Sequence, residues 1–141
     1  MVVNEAIAFT RSALESAAKE PSVKRFVLTS SSSAANQMEI NEPYDLTPQS
    51  WNTTSVEKAW APPPYGQDRV LHTYNASKVQ GEQALWKFVE ERKPHFVVNA
   101  VLPDFVTGRP VNLEKQGYAS SLSLLYALWN RDDMFRVCRR H

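Results

Sequence analysis

Tyr74-Asn75-Ala76-Ser77-Lys78 puts a phenol and an amine four residues apart. On a helix that spacing places both on one face. A tyrosine hydroxyl at its reference pKa of about 10 is a poor acid–base catalyst near neutrality, and a lysine ammonium beside it stabilises the phenolate. Further hydroxyls stand in a run from Ser30 to Ser33, able to hold a carbonyl oxygen and share the tyrosine's proton. Such a set protonates an alkoxide as hydride arrives, or deprotonates an alcohol as hydride leaves. General acid–base help of this kind contributes about 10² to 10⁴ in rate. The hydride has to come from a nicotinamide cofactor, because no side chain supplies one.

Either pattern alone is common: a tyrosine and a solvated lysine on a helix, or serines where a strand becomes a loop. Their joint placement carries the reading. Helical apolar spacing runs over Val2–Lys19 and stops at Pro21. Residues 23–30 (VKRFVLTS) form a β-rich run whose continuous apolar triplet predicts a strand buried on both faces. Residues 34–69 are proline-rich and irregular, with a short helix predicted near 50–60; a loop this long usually serves function or is disordered. A helix is predicted over 73–92, ended by Lys93-Pro94. A second buried strand follows over 95–102, stopped by Pro103, and a last helix over 118–129. Strand, crossover helix and parallel strand make a right-handed βαβ unit, and ligands bind beyond the carboxyl ends of such strands. The serine run ends the first strand, Pro103-Asp104-Phe105 ends the second, and Tyr74 and Lys78 lie on the helix between.

Composition narrows the function classes. The chain has 141 residues, enough for one domain, and a net charge of +1, so no global field favours nucleic acid or a membrane surface. No apolar run approaches the roughly 20 residues needed to span a bilayer, and the first ten residues do not read as a signal peptide. The single cysteine, Cys138, excludes an internal disulfide and fits a cytoplasmic setting. His72, His95 and His141 are scattered without metal-ligand spacing. Sequons at Asn52 and Asn75 read as chance matches.

With these motifs in place, the chain resembles the extended short-chain dehydrogenase/reductase superfamily, in the NAD-dependent epimerase/dehydratase group. Its nearest likeness there is to the dihydroflavonol-reductase-like and fungal aldehyde or ketoreductase branch. The matching stretches are VKRFVLTSSSSAA, SWN with VEKAW in the long loop, YNASKVQGEQALWKFVEE, and VVNAVLPDFVTG. The resemblance implies that Tyr74 is the acid/base and that Lys78 binds the nicotinamide ribose while tuning Tyr74. It implies Ser31, third after the strand's last apolar residue, as the catalytic serine, with Ser30 and Ser32 as competitors. Pro103 would lie against the nicotinamide, and Trp51 and Trp60 are candidate pocket walls. The implied cofactor is NADP or NAD, with NADP favoured. The implied partners are a small carbonyl substrate and, through the Tyr74/Lys78 helix, a second copy of the chain.

Departures accompany the likeness. The family's glycine-rich phosphate turn has no counterpart among Gly66, Gly81, Gly108 and Gly117, and Phe9 stands where relatives usually carry glycine. The end, MFRVCRRH, matches nothing in the family and reads as a solvated basic tail over 131–141. The expected fold is α/β: residues 1–130 form the C-terminal part of a Rossmann-like, doubly wound domain. It has two parallel strands with flanking helices and lacks the N-terminal half of the sheet. The expected function is carbonyl or aldehyde reduction by an NAD(P)-dependent oxidoreductase, impaired in the isolated chain. A non-catalytic remnant and a sugar epimerase/dehydratase are the alternatives.

Overall fold

The computed structural model describes residues 2–36 and 43–130. The element order is α1 (Val2–Lys19), β1 (Arg25–Thr29), α2 (Ser32–Ala35), α3 (Thr53–Trp60), α4 (Arg69–Arg92), β2 (Val97–Val101), α5 (Leu113–Gln116) and α6 (Ser121–Trp129). The chain divides into two compact units at Asp104 and Phe105. The second unit holds α5, capped by Asn112 and closed by Gly117 at φ +61°, and α6, whose Tyr126 ring stacks on Tyr118 at 4.0 Å. The basic tail expected over 131–141 lies outside the described residues.

The first unit carries the chemistry-bearing residues. Its two strands pair in parallel, Arg25 opposite Val97 through Thr29 opposite Val101, and α4 is the crossover between them. Side chains alternate across a strand, so Phe26, Leu28, Val98 and Ala100 share one face. On that face they pack against Leu14 of α1, Leu85 and Phe88 of α4, and Phe96. A second cluster, Val3, Ala59 and Ala76, ties α1 and α3 to the N-terminal half of α4.

The expectation of strands buried on both faces fails. Val27, Val97 and Val101 point away from the helices and are each about half exposed. The Phe26-Val27-Leu28 triplet looks two-sided in sequence, but in the described residues helices cover one face only.

Helix α4 begins at Arg69, four residues before its apolar spacing suggests. Val70 and Leu71 are exposed and break the pattern. Other contacts hold that first turn: the Arg69 guanidinium stacks 3.6 Å over the Tyr65 ring and donates to the Ala59 carbonyl at 3.2 Å. Tyr74 therefore sits in the second turn rather than at the helix start. At the other end Lys93 adopts a left-handed conformation, φ 46°, and its N–H bonds the Val89 carbonyl, closing the helix before Pro94.

The two faces of the sheet should respond differently to substitution. Leu85→Ala, in the sealed core, is expected to cost about 2–5 kcal/mol in urea unfolding. Val97→Thr, on the bare face, is expected to cost no more than about 0.5 kcal/mol. Equal losses would contradict the one-sided packing.

Candidate active site

The backbone beyond the two strands brings the candidate groups together. Ser30 N donates to the Val101 carbonyl at 2.8 Å, and Ser32 N to the Pro103 carbonyl at 3.0 Å. These bonds extend the parallel pairing past the strands, so the serine turn and the Pro103 turn lie side by side at the carboxyl edge. Helix α4 is tied to the same edge: Lys78 Nζ donates to the Thr29 carbonyl at 3.4 Å and stands 5.9 Å from the Tyr74 ring centroid. That is within the roughly 6 Å over which a ring face attracts a cation. Tyr74 is 48% exposed, and among the described residues its hydroxyl makes no hydrogen bond.

The three competing serines differ in what they already hold. Ser30 is buried, and its hydroxyl has no partner among the described residues. Ser31 caps α2: its Oγ accepts from Ser33 N at 3.3 Å and from Ser33 Oγ at 2.9 Å. Those bonds use acceptor capacity and leave the Ser31 proton to donate elsewhere. Ser32 Oγ donates to Asp104 Oδ1 at 3.1 Å. No described hydrogen bond joins any of the three to Tyr74.

A buried polar network that sequence reasoning missed fixes the serine turn. Asn52 caps α3 by accepting from Ser55 N at 3.0 Å. Its Nδ2 donates to the Ser33 carbonyl at 2.9 Å and its backbone N–H to the Ala34 carbonyl at 2.9 Å. Ser55 Oγ meets His72 Nδ1 at 3.1 Å and accepts from Asn75 Nδ2 at 3.2 Å, while His72 Nε2 lies 3.3 Å from Asp68. The order Asp68, His72, Ser55 has the residue types of a hydrolytic triad, but Ser55 is wholly buried and no substrate reaches it. The signal in the sequence was Asn52 three residues before Ser55, a helix-capping spacing. Both sequon asparagines are buried within this network, Asn52 at 3% and Asn75 at 5% exposure.

The candidate pocket walls separate. Trp60 Nε1 donates to Gln80 at 2.8 Å, and Trp51 borders a groove with Glu82 and Trp86. No described ring or hydrogen-bond contact links either tryptophan to Tyr74. Among the described residues no cluster of His, Cys, Asp or Glu is placed to hold a metal ion, and no helix is long and apolar enough to cross a membrane.

Known proteins resemble this chain in sequence and fold. No family model matches the chain. It is 42% identical over 127 residues to the NAD-dependent epimerase/dehydratase tndE of Aspergillus flavipes, covering 89% of this chain and 35% of that protein. It is 46% identical over 121 residues to aldehyde reductase 2 of Sporidiobolus salmonicolor, covering 85% and 35%. Among solved structures it superposes on the yeast methylglyoxal/isovaleraldehyde reductase Gre2, crystallised with NADPH. That match has a TM-score of 0.69 and 28% identity, and covers 89% of this chain and 37% of Gre2. The chain is thus homologous to the NAD-dependent epimerase/dehydratases and aldehyde/ketoreductases of the extended short-chain dehydrogenase/reductase lineage. It spans about a third of the length of the curated relatives it matches.

Asn52 is the testable hinge between loop and site. Asn52→Ala removes a helix cap and leaves the half-buried Ser33 carbonyl without its donor, an expected loss of about 1–3 kcal/mol. Asn52→Asp keeps the cap acceptor and should lose less. Chemical denaturation of both variants checks this, and an Asn52→Ala variant as stable as wild type would contradict it.

Proposed function

We propose that this chain supplies the proton-transfer and substrate-orienting part of an NAD(P)-dependent carbonyl reductase. One observation carries the reading. Lys78 is anchored to the end of β1 and stands 5.9 Å from the Tyr74 ring, while among the described residues the Tyr74 hydroxyl makes no hydrogen bond. In this reading a substrate carbonyl accepts a hydrogen bond from Ser31, whose own proton is free to be given. Tyr74 donates its proton to the oxygen as negative charge develops there, and Lys78 stabilises the phenolate that remains.

A bound nicotinamide cofactor supplies the hydride. The donor set supports a fit for its sugar end. Lys78 has three ammonium hydrogens and spends one described bond, on Thr29, leaving donors for ribose hydroxyls. In this reading Pro103, whose carbonyl accepts from Ser32 N at 3.0 Å, lies against the nicotinamide. For the phosphates the residues fit poorly. Anion binding at a strand-to-helix turn uses clustered glycines, and the four glycines here are dispersed. The reading therefore includes weak cofactor binding and impaired turnover by the chain alone. NADP is favoured because Gre2 was crystallised with NADPH and a Candida albicans relative is named an NADPH-dependent methylglyoxal reductase.

Exchanging this chain for the 121 matched residues of aldehyde reductase 2 tests the reading with a phosphate-binding portion present. The chimera is expected to reduce an aldehyde with NADPH, and Tyr74→Phe to slow it by about 10² to 10⁴. A folded chimera that binds NADPH without turnover would instead favour the non-catalytic reading. Turnover indifferent to Tyr74→Phe would refute the role of Tyr74.

A further inference from the structure

Two helical turns along α4 from Tyr74, about 12 Å on, Glu82 borders a groove of about 540 Å³. Trp51 and Trp86 wall it, and Ala100 and Leu102 of the β2 strand and its exit contribute apolar surface. That volume is in the range of small-molecule sites. Glu82 is 6% exposed. Trp86 Nε1 donates to its Oε1 at 3.2 Å, while Oε2 is buried with no donor among the described residues. A buried carboxylate oxygen without a donor is costly, so the site is one hydrogen-bond donor short. The adjoining hollow shares both tryptophans and is bordered by Glu90 and Glu91. Its one cation, Lys87, is engaged by Glu91 at 3.8 Å. The surroundings are therefore acidic as well as aromatic, and both properties favour a positive guest.

We propose that this groove binds a small organic cation: a guanidinium or ammonium group on a short alkyl stem. The charge is drawn to the Glu82 carboxylate, which turns its unpartnered oxygen toward the guest as it binds, and the stem lies between the Trp51 and Trp86 indoles over Ala100 and Leu102. The site is separate from the Tyr74 edge and does not rest on the reductase reading.

Agmatine, a guanidinium on a four-carbon stem, is the probe, with 1-pentanol as the uncharged control. Calorimetry on the intact chain is expected to give saturable agmatine binding and none with pentanol. The Trp86 indole N–H resonance, bonded to Glu82, should move as the groove fills. Glu82→Gln is expected to weaken binding by about tenfold or more, while Glu91→Gln at the rim changes it by less than about threefold. If Glu82→Gln does not fold, as judged by circular dichroism, the wild-type indole titration decides alone. Absence of saturable agmatine binding, equal binding of pentanol, or affinity unaffected by Glu82→Gln would each overturn the proposal. So would an arginine-centred pentapeptide that binds about tenfold tighter than agmatine, which would make the natural guest a protein side chain.

Discussion

The candidate site depends on the burial of one face of α4. Leu85 and Phe88 anchor the C-terminal half of that helix on the sheet, and Ala76 and Val79 bury its N-terminal half. With that face fixed, Tyr74 stays on the open side and Lys78 reaches the end of β1. The helix thus works as a rigid ruler: apolar side chains set its position, and polar ones four residues apart present the chemistry. Shifting α4 along its axis by one turn would move both groups about 5.4 Å from the strand edge.

The second support is polar. Past the last residues of β1 and β2, backbone bonds from Ser30 and Ser32 continue the pairing, and Asn52 locks the serine turn from the loop side. The long proline-rich loop is therefore anchored to the serine turn by a buried asparagine and to α4 through the capped helix α3. Buried amides and hydroxyls of this kind are costly when unmatched, so the network specifies one arrangement of the turn.

Much of this was legible in the sequence, for identifiable reasons. The strand–helix–strand order and the Tyr74/Lys78 spacing follow from periodicity, a local property. The early start of α4 was hidden because Val70 and Leu71 are apolar yet exposed, and the turn is held by Arg69 contacts that no period reveals. The bare face of the sheet was hidden too: three consecutive apolar residues look alike whether one side or both are covered. Asn52 carried a readable capping signal in its spacing to Ser55, although its bonds to the serine turn join residues distant in sequence. The three serines differ in their bonds, with Ser31 accepting from Ser33, Ser32 donating to Asp104 and the Ser30 hydroxyl without a partner among the described residues, and that difference emerges only in the folded turn.

The central claim is that Tyr74 and Lys78 act as one unit, the lysine mattering through the phenolate it stabilises. A double-mutant cycle on carbonyl reduction in the aldehyde reductase 2 chimera measures this directly. If the pair is a unit, Tyr74→Phe combined with Lys78→Met is no slower than Tyr74→Phe alone beyond the loss in cofactor affinity. Rate losses that simply multiply would mean two independent residues, and would contradict the account.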